Sequence, residues 1–127
     1  MTRILLIALA GALGTLSRYG IGVWAGRTLG TNFPYGTLIV NVVGCFLIAA
    51  ITHVAISTEL ISPTVRLTLT TGFMGGLTTY SSFNLETMQF FQNRAWYSGL
   101  VNFSITTFAC FAAGLLGFAV ARRVFGA

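Results

Sequence analysis

Residues Gly72–Asn84 read Gly-Phe-Met-Gly-Gly-Leu-Thr-Thr-Tyr-Ser-Ser-Phe-Asn and lie midway along the third of four apolar segments. The stretch holds a glycine pair, Gly75 and Gly76, and four hydroxyl side chains besides its tyrosine. A glycine pair lets the backbone leave helical geometry. In lipid, such a break persists only where protein or a polar cavity covers the freed N–H and C=O groups. Because these groups can turn toward an ion, we interpret the stretch as an ion-handling site at membrane depth.

The composition of the whole chain is that of a membrane protein. Of its 127 residues, 55% are hydrophobic and 7% are charged, and the mean hydropathy is +0.84. A soluble domain carries about a quarter charged residues. Crossing the hydrocarbon takes about 20 residues, and four apolar segments reach that length, at about 4–24, 36–56, 65–91 and 95–120. We therefore predict one all-α domain, residues 1–127, with four transmembrane helices and the third broken mid-membrane.

Several function classes fit this chain poorly. The arginines that give the net charge of +5 are scattered singly apart from Arg122 and Arg123, which argues against a nucleic-acid partner. Cys45 and Cys110 each fall inside an apolar segment, so we expect small buried residues rather than a disulfide. No cluster of ligands suggests zinc or iron, and we expect no enzyme activity.

The second and fourth segments each carry a narrow polar stripe at i, i+4, i+8 spacing. The stripes are Thr37, Asn41 and Cys45 in the second segment, and Asn102, Thr106 and Cys110 in the fourth. An intramembrane amide can also be a hydrogen bond between helices. Because the stripe recurs on a second helix, we favour a pore lining.

The third segment continues past its glycines with two aromatic rings. Tyr80 and Phe83 stand at i, i+3, Thr79 and Ser82 share a neighbouring face, and Glu86 follows one turn later. Two aromatics at this spacing fit core packing as well as an ion site. The sequence leaves both interpretations open.

The arginines are nearly balanced between the two sides of the membrane. With four spans, one side receives four arginines and the other receives two or three. The first set is Arg3, Arg66, Arg122 and Arg123. The second is Arg27 and Arg94, and it has three members if Arg18, which lies inside or near the end of the first segment, is counted with it. This bias is weak under the positive-inside rule. We therefore expect insertion in both orientations and an antiparallel homodimer in the lipid bilayer.

The motif from Gly72 to Phe83 resembles the signature of the Fluc fluoride channels, small bacterial membrane proteins that export toxic fluoride passively. Gly36-Thr-Leu-Ile-Val-Asn41 also resembles their second helix, and Arg18 stands where their first helix carries an arginine. The resemblance covers the whole chain. It implies an inner-membrane, dual-topology dimer with two fluoride pores and a structural sodium ion on the dimer axis.

The resemblance also assigns roles to residues of this chain. It implies sodium ligation by the backbone carbonyls of Gly75 and Thr78 from each subunit. It implies a fluoride path along Asn41, Tyr80, Phe83, Ser82, Thr106, Cys110, Thr37, Glu86 and Asn102, with Arg18 as a vestibule charge. The chain departs from the family pattern at Tyr80, where phenylalanine is usual, and at Asn102 and Cys110.

Two alternatives from other classes remain. Small multidrug-resistance transporters are also four-span dual-topology dimers, but they exchange protons through a first-helix carboxylate. The first segment here has no acid and carries Arg18, which is either a side chain reaching the interface or a fixed charge at an anion path. A purely structural membrane subunit would use the polar stripes only to join helices.

Overall fold

The computed structural model describes residues 1–126, and no strand occurs among them. Three helices are long and apolar enough to cross a membrane: α1 (Thr2–Thr28), α2 (Tyr35–Ser57) and α6 (Trp96–Phe125). The expected all-helical membrane architecture is confirmed.

The chain between α2 and α6 is built from shorter helical pieces. α3 (Pro63–Leu67) leads into a π-helix (Thr68–Met74) and then into α4 (Gly75–Leu77). The next two residues, 78 and 79, are extended, and α5 (Tyr80–Gln92) follows. π-Helical geometry is rare and is found mostly as single turns at functional sites.

Side-chain caps mark where two of these helices begin. The Ser62 hydroxyl accepts a hydrogen bond from the Val65 N–H, and Pro63 supplies the preset φ that suits a first helical residue. The Thr79 hydroxyl accepts from the Ser82 N–H in the same way and starts α5.

Contacts at the two ends show how the helices run. At one end, Arg3 Nη2 donates to the Thr64 hydroxyl over 3.2 Å, and His53 Nε2 donates to the Gly126 carbonyl over 2.9 Å. At the other end, the α1–α2 turn packs on α5, where the Phe33 and Phe90 ring centroids are 6.4 Å apart. Residues 63–92 therefore run from one end of the bundle to the other.

Small residues bring the backbones together along two seams. A Cβ on Gly14 of α1 would strike the Phe73 carbonyl of the π-helix, and a Cβ on Gly76 would strike the Gly11 carbonyl of α1. On the other seam, a Cβ on Gly117 of α6 would strike the Phe46 carbonyl of α2. These approaches hold the irregular third segment against α1, and α6 against α2.

Candidate functional site

The extended residues between α4 and α5 are held by one side chain from α2. Asn41 Nδ2 donates to the Thr79 carbonyl over 3.1 Å, and Asn41 Oδ1 accepts from the Thr79 N–H over 2.8 Å. Both residues are buried. The amide thus replaces the two helical hydrogen bonds that Thr79 has lost, so the polar stripe of α2 braces the break as well as facing a cavity.

The carbonyls around the break have different partners. Arg18 Nε donates to the Gly76 carbonyl over 3.1 Å, and the Thr78 hydroxyl donates to the Met74 carbonyl over 2.9 Å. The carbonyls of Gly75 and Thr78 receive no side-chain hydrogen bond from residues 1–126. Gly75 is also exposed on the protomer, where a Cβ would meet only the Thr70 carbonyl, at 3.8 Å.

A groove of about 300 Å³ lies where α2, α5 and α6 meet the break, and we name it the polar groove for the side chains of the two polar stripes, although most of its exposed surface is apolar. Its lining brings together residues from both polar stripes and both aromatics of the third segment: Asn41, Cys45, Thr78, Thr79, Tyr80, Phe83, Thr106, Thr107, Cys110 and Phe111. The groove therefore offers amide, hydroxyl and thiol donors beside aromatic ring edges.

The two aromatic rings of α5 differ in exposure. Tyr80 and Phe83 make an edge-to-face pair with centroids 5.6 Å apart and an interplanar angle of 74°. Phe83 is 6% exposed and stacks on Phe103 of α6, whereas Tyr80 is 76% exposed on the protomer surface. Phe83 is thus fixed by packing, and Tyr80 projects from the protomer at the edge of the groove.

Glu86 lies one turn beyond Phe83, in a separate cavity of about 410 Å³ under the α1–α2 turn. The Thr37 hydroxyl donates to Glu86 Oε1 over 2.6 Å. The second carboxyl oxygen, Oε2, is buried and has no hydrogen-bond partner among the described residues. This hydrogen bond joins Thr37 of α2 to Glu86 of α5.

Asn102 is buried between α5 and α6. It is 1% exposed, and its Nδ2 donates to the Thr87 hydroxyl over 2.9 Å, while its Oδ1 accepts from Thr106 over 3.4 Å. Asn102 therefore joins α6 to α5 and supports Thr106, which does line the groove.

Comparison with known proteins identifies the family. A family model described as "CrcB-like protein, Camphor Resistance (CrcB)" matches residues 5–118. The chain belongs to the CrcB-like family. A protein named "Fluoride-specific ion channel FluC" from Sorangium cellulosum is 54% identical over 98% of each chain. Proteins of the same name from Geobacter metallireducens and Citrifermentans bemidjiense are 44% and 42% identical over 98% of this chain and all of their own length.

These matches confirm the family resemblance that the sequence indicated. The CrcB-like chain is an ion channel and not an enzyme, and its long apolar helices make it a multi-pass protein of the inner membrane.

Sequence reasoning missed three contributors to the site of this CrcB-like chain. Thr79 caps α5, donates its backbone N–H to Asn41 Oδ1 and accepts from Asn41 Nδ2 at its carbonyl. Thr87 bonds Asn102, and Phe103 stacks on Phe83. The spacing of Thr79 and Ser82 fits an N-cap and could have indicated the first of these. The other two depend on how α5 packs on α6.

Proposed function

We propose that the chain is a fluoride-selective channel that exports the anion passively. The observation that carries this proposal is the 54% identity, over 98% of each chain, to a protein named a fluoride-specific ion channel. The polar groove supports it, because fluoride is small and strongly hydrated and a pore must replace its water with many hydrogen-bond donors. Hydroxyls and amides donate without holding the anion as a fixed charge would, so release stays possible. Asn41 keeps one amide N–H beyond the one that it donates to the Thr79 carbonyl.

The rings beside the groove suit an anion as well. Aromatic rings carry positive charge at their edges, and Phe83 and Tyr80 present edges where the donors of α2 and α6 converge. In this proposal the anion passes Asn41, Ser82, Thr106 and Cys110, and the Thr37–Glu86 pair lies toward one mouth. Arg18, paired with the Gly76 carbonyl, adds a positive charge near the break.

We further propose that the chain works as an antiparallel, dual-topology homodimer, with residues 63–92 forming a third span broken at mid-membrane. Two features support this arrangement. The arginines are nearly balanced across the two ends of the helices, and Gly75 and Tyr80 are exposed beside the break. In lipid, backbone carbonyls without a donor, such as that of the exposed Gly75, need a covering partner, and a second copy related by an axis in the membrane plane supplies one.

A structural sodium ion fits the residues at the break. Four neutral carbonyls, from Gly75 and Thr78 of two subunits, suit a monovalent hard cation better than calcium or magnesium, which recruit carboxylates or keep waters. The carbonyls of Met74, Gly76 and Thr79 already accept side-chain donors, whereas those of Gly75 and Thr78 accept none from the described residues. When bound, sodium supplies a fixed positive field at the centre of the dimer.

A flux measurement tests the proposed function. Purified protein in liposomes should release fluoride rapidly when valinomycin shunts the potassium current, and release almost no chloride under the same conditions. Protein-free liposomes give the background rate. Equal chloride efflux, or proton-coupled uptake of an organic cation, would contradict a fluoride channel.

A further inference from the structure

Cys45 of α2 and Cys110 of α6 are neighbours where those helices pack together, because they line the same two cavities. Both thiols are free. The backbones are close at this level, because the Cys45 carbonyl lies 3.9 Å from where a Cβ of Gly114 would stand, one turn after Cys110. The two thiols therefore open onto the same cavities, between closely packed backbones.

The thiol pair also lies where two cavities meet. Cys45, Cys110 and Phe111 line both the polar groove and a second cavity of about 430 Å³. Apart from Thr52, the remaining lining of the second cavity is apolar, with Ile48 and Leu115 among its residues. A ligand held between the sulfurs would thus stand in the wall of the groove.

We propose that Cys45 and Cys110 form a two-sulfur site for a soft d¹⁰ cation that prefers linear coordination, with Hg(II) as the best match. Thiolates select soft metals. A tetrahedral zinc site needs more donors, and residues 1–126 contain no group of three or more His, Cys, Asp or Glu side chains that could hold a metal.

Charge explains the preference for a divalent ion. Two thiolates carry two negative charges, so a linear Hg(SR)₂ unit is neutral, whereas a silver ion between the same thiolates leaves one net negative charge. A net charge within the membrane is costly. In the binding step each thiol loses its proton to water, each new S–Hg bond replaces one Hg–Cl bond of HgCl₂ and releases chloride, and no oxidation state changes.

A thiol titration tests the site directly. Fully reduced protein in detergent micelles receives one equivalent of HgCl₂ per protomer, and the remaining thiols are counted with a disulfide dye. A shared site consumes both thiols, so none should remain. Two independent adducts consume one thiol per metal, and one remaining thiol per protomer would overturn the proposal.

A variant with the same number of cysteines is the control. C45S combined with V43C moves one thiol to a different face of α2, so it should keep one thiol at one equivalent of Hg(II). The wild type should also hold the metal against 2-mercaptoethanol at concentrations about 10²–10⁴-fold higher than C45S does, because its second bond is intramolecular. Equal resistance in both proteins would contradict a two-sulfur site.

The effect on transport rests on the proposed fluoride function. One equivalent of Hg(II) should stop fluoride efflux by the wild type in liposomes, and a dithiol should restore it. With 2-mercaptoethanol present at a concentration that removes Hg(II) from C45S, C45S should keep its own metal-free rate while the wild type stays blocked. If the wild type still released fluoride after Hg(II) had consumed both thiols, the metal would not lie in the wall of the fluoride path. If the metal-free protein showed no fluoride efflux, the proposed channel function would be wrong, but the thiol titration would still test the metal site.

Discussion

At the scale of single residues, Asn41 is the side chain on which the break depends. It pairs both the N–H and the C=O of the buried Thr79. Leucine at this position leaves both groups unpaired, and each buried unpaired group costs about 1–3 kcal/mol. We therefore expect Asn41→Leu to lower the free energy of unfolding by that amount per group, measured in mixed detergent and SDS micelles.

Asn102→Leu is the matched control for this prediction. Asn102 is as deeply buried, but its partners are the hydroxyls of Thr87 and Thr106, and Thr87 keeps its hydrogen bond to the Phe83 carbonyl. A side-chain hydrogen bond between membrane helices contributes about 0.6 kcal/mol on average, so this loss should be the smaller one. Equal losses for the two variants would show that Asn41 does not brace the backbone.

At the scale of helices, the irregular third segment is held by its close approach to α1. Gly14 has no room for a Cβ beside the Phe73 carbonyl, whereas a Cβ on Gly20 of the same helix meets no atom within 4 Å. Overpacking such a contact costs about 1–3 kcal/mol. We expect Gly14→Ala to destabilise the protein by that amount and Gly20→Ala by less than about 0.5 kcal/mol.

Unfolding in mixed detergent and SDS micelles gives the free energy of unfolding of both variants, and fluoride efflux provides a second measurement. Because Gly14 contacts the π-helix just before the break, Gly14→Ala should also slow fluoride efflux. If Gly14→Ala and Gly20→Ala were equally stable, the close contact between α1 and the π-helix would not contribute to stability.

At the scale of the whole molecule, the charge balance predicts two orientations in the membrane. A single cysteine at Thr31, in the α1–α2 turn, reports orientation when the two native cysteines are replaced by serine. We expect an impermeant thiol reagent to label roughly half of the molecules from each side, because the arginine bias is weak.

Shifting the charge balance tests whether both orientations are needed. Arg27→Gln with Arg94→Asn removes positive charge from one side, and asparagine tolerates the positive φ of 60° at residue 94. This variant should insert one way and lose fluoride efflux when expressed alone. A partner variant biased the other way, with Arg3 and Arg66 changed to Gln, should restore efflux on co-expression. Full activity from molecules of a single orientation would contradict the antiparallel dimer.

Much of the site could be read from local sequence patterns. The apolar lengths identified α1, α2 and α6 as membrane helices, since crossing the hydrocarbon sets a minimum length. The i, i+4 spacing placed Asn41 and Thr106 on polar stripes, and the structure brings both to one groove. The position of Asn102 was not predictable, because its burial depends on where Thr87 of α5 packs against α6.

By itself, the sequence determined the helical class, the membrane setting, the family and the location of the irregular stretch, because hydrophobic length, glycine content and a local motif are all properties of neighbouring residues. Only the tertiary structure decided which side chains form hydrogen bonds with the backbone groups at the break. The Asn41 amide and the Arg18 guanidinium come from other helices, 38 and 58 residues away from Thr79 and Gly76 along the chain. A backbone carbonyl has no sequence-specific preference for a partner, so only the packing of α1 and α2 against the third segment selects these donors.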